Sequence, residues 1–144
     1  MGFSIFINFN GNCREAVTFY AKVFDKNVPT FMTYGDAPPG PSVDAQSAQA
    51  NKDLVMYTGL NIAGTEVMFC DYTADMGYVH GNNISPVVSS TDMDEVRTLF
   101  ERLSEGGTVD MPLGETFWSS LYGMVTDKFG ITWQVDHDDG REMG

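Results

Sequence analysis

The side chains able to do metal or nucleophilic chemistry are few: two histidines, His80 and His137, and two cysteines, Cys13 and Cys70, among 144 residues. The histidines lie too far apart in sequence for an H-E-x-x-H zinc helix. No C-x-x-C, G-x-G-x-x-G after a strand, G-x-x-x-x-G-K-[ST] or G-x-S-x-G occurs, which sets aside zinc-finger, nucleotide-loop and serine-hydrolase readings. His137 stands in Asp136-His-Asp-Asp139, but consecutive side chains diverge, so the run reads as a solvated acidic tail. His80 falls on a connection between halves of the chain. Cys70 has no His or Lys near it in sequence to lower its pKa, and Cys13 lies on an apolar stripe. Glu115 with Trp118 is the richest pair. A carboxylate beside an indole suits a general base, or an anchor for a cationic or hydroxylated ligand, and equally a turn-capping Glu beside a core Trp.

Composition bounds the partners. Twenty acidic against eight basic residues give a net charge of −12, which repels nucleic acid and anionic lipid alike. No run of 18 apolar residues and no signal-peptide pattern appears, so the expected compartment is cytoplasmic, with both cysteines reduced thiols. With 42% hydrophobic residues, the chain can fill a core without staples. The nine Met and the many aromatics suit an apolar ligand pocket or a dimer interface, and composition does not separate these.

Two segments must be helices. Cys13, Ala16, Val17, Tyr20, Val23 and Phe24 form one apolar stripe, with Asn12 as cap and Glu15 three residues on. Met93, Val96, Leu99, Phe100 and Leu103 form another after Thr91-x-x-Asp94, closed by Gly106-Gly107. Runs rich in β-branched and aromatic residues predict strands over 4–9, 28–34, 54–62, 66–71, 84–90, 108–111, 119–126 and 131–136. Ala63-Gly64-Thr65 and Lys128-Phe129-Gly130 supply hairpin turns. The order is βαβββ twice, an α+β domain. The cap candidates Asn12 and Thr91 lie 79 residues apart and the turn glycines 66, so the first half carries 13 extra residues. They fall in 36–51, whose Pro, Gly, Ala, Ser and Gln read as an inserted loop, either lid or disordered. Module 1 covers about 1–75, module 2 about 82–137, and 138–144 is a tail of the single domain 1–144.

Phe9-Asn-Gly-Asn-Cys-Arg-Glu-Ala16 with Phe19-Tyr20, and Gly114-Glu-Thr-Phe-Trp118 with Val125-Thr-Asp-Lys-Phe-Gly130 and Trp133, resemble the PhnB-like branch of the glyoxalase/bleomycin-resistance (vicinal oxygen chelate) superfamily. The resemblance implies two βαβββ modules curling mixed sheets around a cleft, and a homodimer. Its enzymes hold a divalent metal through His and Glu on facing strands, while other members only bind a ligand. Carried over, the metal positions fall at Ile5, near Met68, at Asn83 or Ser85, and at Gln134. Ile5 cannot ligate, and a neutral amide replaces a carboxylate poorly. Members often carry a demethylubiquinone methyltransferase label, but nothing in this sequence resembles a methyl-donor nucleotide site.

The final strand supports the placement of Gln134 from pattern alone. Ile131, Trp133 and Val135 alternate with Thr132, Gln134 and Asp136, one apolar face and one polar. The expected protein binds a small organic ligand in an apolar cleft lined by Ile5, Ile7, Met68, Cys70, Trp118, Thr132 and Gln134. Gln134, Glu115 and Ser85 supply polar contacts, with Glu115 and Gln134 the candidates for catalysis and no metal or other cofactor. The competing expectations are a metal-dependent lyase, isomerase or dioxygenase using Glu66, Glu115 and Asp136, and an interaction module with a filled cleft.

Overall fold

The computed structural model describes residues 1–37 and 45–140, and the chain divides into two compact units, Met1–Val79 and His80–Gly144. The first holds β1 (Ile5–Phe9), α1 (Cys13–Val23), β2 (Met32–Thr33), α2 (Ala45–Asn51), β3 (Val55–Ile62) and β4 (Thr65–Asp71). The second holds β5 (Val87–Ser90), α3 (Met93–Ser104), β6 (Thr108–Gly114), β7 (Tyr122–Thr126) and β8 (Thr132–His137). Each has a four-stranded mixed sheet, ordered β1-β4-β3-β2 and β5-β8-β7-β6. The first strand runs parallel to the last, and the other pairs are antiparallel. The repeated βαβββ order expected from the sequence is thus present in both sheets.

One face of each sheet carries the helix. In the first unit Cys13, Ala16, Val17, Tyr20 and Val23 of α1 are buried, and Tyr20 stacks on Phe69 at 5.8 Å between ring centroids. In the second, Val96, Leu99, Phe100 and Leu103 of α3 are buried with Val88, Val125, Trp133 and Val135 of the sheet. A Cβ at Gly123 would come within 2.6 Å of the Phe100 ring, so glycine lets α3 settle on β7.

The helix starts are secured differently from the sequence expectation. Asn12 makes no side-chain cap bond. Its role passes to Asp71 at the end of β4, whose Oδ1 accepts from the amides of Gly11 (3.0 Å) and Cys13 (2.9 Å). α3 is capped by Asp92 rather than Thr91, through the amides of Asp94 and Glu95. In the β7–β8 turn Asp127 accepts from the amides of Phe129 and Ile131 and from the Trp133 indole. Gly130 there takes a φ of +89°, with the His80 ring lying against its Cα.

Several strand bounds move. Of 28–34, only Met32–Thr33 pairs, because Thr33 and Asp36 form a capping box that turns 34–36 into a 3₁₀ turn. The strand expected over 84–90 begins at Val87, just after Pro86. That over 119–126 begins at Tyr122, because the Ser119 hydroxyl bonds the carbonyls of Leu121 and His137 instead. β6 runs on through Pro112, tolerated on an edge strand with bulges. The expected 36–51 loop is a helix over Ala45–Asn51, and its lid-or-disorder question falls on 38–44, outside the described residues. His137 is not a solvated tail residue. It ends β8, with Nδ1 2.6 Å from the Ser120 hydroxyl and Nε2 3.1 Å from the Thr91 carbonyl. Of the tail, 141–144 lie outside the described residues.

Candidate functional site

The helix-free face of the second sheet gathers the larger polar constellation. The alternation of β8 puts Thr132, Gln134 and Asp136 on that face, and register brings Met124 of β7 opposite Gln134 and Tyr122 opposite Asp136. Gln134 is bonded at both ends of its amide. Its Oε1 accepts from the Tyr122 hydroxyl at 2.6 Å, and its Nε2 donates to the Ser85 hydroxyl at 2.8 Å. The three groups form a neutral chain with one direction, Tyr122 to Gln134 to Ser85. Burial, and then the Asp136 carboxylate beside it, push the Tyr122 phenol up, which keeps it a donor to Gln134. Trp118 is half-buried and meets Tyr122 edge-on at 5.2 Å, with Phe117, exposed, edge-on to Trp118 at 4.7 Å. Thr132 shares a hydrogen bond with Thr126, whose hydroxyl also reaches Asp110.

Five of the expected residues, Ser85, Glu115, Trp118, Thr132 and Gln134, belong to the second unit, and Ser85, Trp118 and Gln134 are joined directly or through Tyr122. Glu115 does not join them: it is exposed in the segment between β6 and β7 and bonds none of them. The sequence reading missed Tyr122 as the polar member that locks Gln134. Its signal was available in the alternation of Tyr122, Met124 and Thr126 against Gly123 and Val125.

The first sheet's helix-free face is differently made. Met68 and Cys70 share it with Phe6 and Asn8, which register opposite them. The Cys70 thiol donates to Asn8 Oδ1 at 3.1 Å, and Asn8 Nδ2 donates to Tyr72 at 3.2 Å. Burial, with Asp71 behind it, pushes the Cys70 thiol up, the opposite of a nucleophile's requirement. Glu66 lies over Gly59, where a Cβ would meet its Oε1 at 2.3 Å and the Tyr57 hydroxyl at 3.4 Å.

Ile5 and Ile7 do not line this face. They register against Val67 and Phe69, and side chains level in a parallel pair point the same way, so both lie on the side of Phe9 and α1. The expected grouping of Ile5 and Ile7 with Met68 and Cys70 is corrected on that ground. The donor set also fits a chelated metal poorly, because the position at Ile5 is apolar and Gln134 offers a neutral amide, already bonded by Tyr122 and Ser85, in place of a carboxylate. Among the described residues, no three His, Cys, Asp or Glu side chains converge as a metal-holding group.

Two βαβββ units with helices on one face of each mixed sheet define a protein of the glyoxalase/bleomycin-resistance fold. The likeness extends to a glyoxalase/bleomycin resistance protein/dioxygenase family enzyme from Burkholderia phytofirmans PsJN at a TM-score of 0.62. That match has 12% identity and covers 93% of this chain and 95% of that one, and it speaks to fold alone. Within that fold the chain belongs to the 3-demethylubiquinone-9 3-methyltransferase family, which it matches over residues 2–136. It is similar to protein PA1353 from Pseudomonas aeruginosa, with 31% identity, a TM-score of 0.81, and 95% and 97% of the two chains covered. It is also similar to a putative 3-demethylubiquinone-9 3-methyltransferase, PhnB protein, from Bacillus cereus, with 25% identity, a TM-score of 0.74, and 95% and 99% covered. Protein YjdN of Escherichia coli (strain K12) is 26% identical over 140 residues, 94% of this chain and 95% of that protein.

Proposed function

We propose that this chain binds a small organic ligand on the helix-free face of its second sheet, without a catalytic metal, as a cytoplasmic homodimer. The observation that supports the reading is the Tyr122–Gln134–Ser85 chain. Its hydroxyls and amide are held in place before any ligand arrives, so a ligand meets the Ser85 O–H as a directed donor and the Tyr122 oxygen as an acceptor. Trp118 beside Tyr122 supplies the aromatic wall. A neutral, hydrogen-bonded amide suits orientation of a ligand better than retention of a divalent ion, whose hydration it cannot replace. The methyl transfer in the family's description is not carried over, since no stretch of this sequence resembles a methyl-donor nucleotide site. No helix among the described residues is long and apolar enough to cross a membrane.

The test is thermal melting across a small-molecule library. A ligand at 100 times its Kd stabilises by about 2.7 kcal/mol, and Gln134→Ala or Trp118→Ala should abolish the gain while leaving a folded protein. A library without a single stabiliser favours the interaction module instead. Melting with Mn²⁺, Ni²⁺, Zn²⁺ and Fe²⁺ addresses the enzyme alternative: a multi-degree rise lost in Gln134→Ala would sink the metal-free reading. Light scattering on the eluting peak measures the dimer.

A further inference from the structure

Asp136 is the one member of the polar row on the second sheet left without a partner. Its Oδ1 is buried and accepts no hydrogen bond. Its register neighbours are Ser89 of β5 and Tyr122 of β7, and neither bonds it, because the Tyr122 hydroxyl is committed to Gln134. The residue as a whole is half-buried, yet a buried acceptor atom without a donor is costly, and folded proteins rarely leave one so. Among the described residues of this unit no basic side chain bonds it. Among its described basic side chains, Arg97 pairs with Asp94 on α3, Arg102 lies in the last turn of α3, and Lys128 packs against Gly106 by the β7–β8 turn. α3 is on the opposite face of the sheet. His137 points to that face too, bonded by Ser120 and the Thr91 carbonyl.

Resting on the ligand-binding reading above, we infer that Asp136 anchors the ammonium group of an aromatic amine, whose ring lies against Trp118 and Tyr122. The class follows from three observations. The unmet group is an anionic acceptor, which an ammonium answers with charge and donors together. Tyr122, its register neighbour, meets the Trp118 ring edge-on at 5.2 Å between centroids, and such surfaces hold both an aryl body and a nearby cation. The chain's charge of −12 draws organic cations in and turns carboxylates and phosphates away.

The experiment uses three probes of matched size, 2-phenylethylamine, 2-phenylethanol and 3-phenylpropionate, followed by calorimetry and by quenching of tryptophan fluorescence. The amine should bind at least about tenfold tighter than the alcohol, the margin of a charge-assisted over a neutral hydrogen bond. Asp136→Asn should erase that margin, whereas Asp94→Asn on α3, which removes one negative charge equally, should keep it. Without ligand, Asp136→Asn should melt no lower than the parent, because its buried Oδ1 has no hydrogen bond to lose. Should Asp136→Asn not fold, Asp136→Ser replaces it in both measurements. Equal binding of amine and alcohol, a margin that survives in Asp136→Asn, or a lower melting point in that variant overturns the inference while leaving ligand binding intact. Absence of binding by all three probes overturns the inference and counts against the ligand-binding reading as well.

Discussion

Asp71 ties α1, β3 and β4 together through one carboxylate, and its removal is the sharpest test of how the first unit is held. Its Oδ1 accepts from the amides of Gly11 and Cys13 at 3.0 and 2.9 Å, and its Oδ2 from the amide of Val55 at 3.0 Å, with the residue 2% exposed. The Cys13 and Val55 bonds are buried and the Gly11 bond partly so. Asp71→Ala strands all three donors, and at about 1–3 kcal/mol for each of the two buried ones the loss comes to roughly 2–6 kcal/mol. That is a large share of the ~5–15 kcal/mol that holds a typical domain. Asp71→Asn should fall between, at roughly 2 kcal/mol, since its carbonyl still serves one side while its NH₂ opposes an N–H. Both tryptophans lie in the second unit, so urea unfolding should be followed by far-UV circular dichroism rather than fluorescence alone. A loss for Asp71→Ala below about 1 kcal/mol would refute the idea that this carboxylate organises the unit.

Gly123→Ala should cost about 1–3 kcal/mol by overpacking, since the new methyl meets the Phe100 ring at 2.6 Å and a Leu113 methyl at 3.0 Å; thermal melting reads it, and a neutral result would show that α3 shifts freely. Asp92→Ala should lose about 1 kcal/mol with its two cap bonds, whereas Asn12→Ala, which has none to lose, should stay within a few tenths in the same denaturation assay. Burial and the Asp71 charge raise both thiols above their usual value of 9.0, so native Cys13 and Cys70 should resist iodoacetamide at about pH 8 until urea is added. The same shifts set the alkaline limb of stability. The folded state holds those protons longer, so the contribution is complete below about pH 9 and is lost as pH rises past it, a slope that Cys70→Ala should flatten.

Local signals in the chain carry most of the architecture. The 3.6-residue stripes mark α1 and α3 within a residue, and Ala63 and Gly64 take the positive φ that a tight hairpin between β3 and β4 demands. What fails is whatever depends on residues distant in sequence. The cap of α1 comes from Asp71, 58 positions beyond Cys13, so the nearest polar residue, Asn12, is the wrong candidate. The strand expected over 28–34 loses to a local competitor, the Thr33–Asp36 capping box, which satisfies backbone groups without a neighbouring strand.

The site divides along the same line. In β8 apolar and polar residues alternate, and this alternation alone assigns the row Thr132, Gln134, Asp136 to one face. In β1 the residues Ile5, Phe6 and Ile7 are apolar at both parities, so the pattern holds no face information. Only the register against Val67 and Phe69 shows that Phe6 and Asn8, not Ile5 and Ile7, look away from α1. Within the β8 row, sequence draws attention to Gln134, because that position carries a metal-binding carboxylate in the enzymes the chain resembles. The hydrogen bonds reverse the emphasis. Gln134 is held by Tyr122 and Ser85, one bond at each end of its amide, so it meets a ligand already fixed in orientation. The unmet demand sits one pleat further on, at Asp136 Oδ1, and an unmet buried acceptor gains most from a donor that brings its own charge.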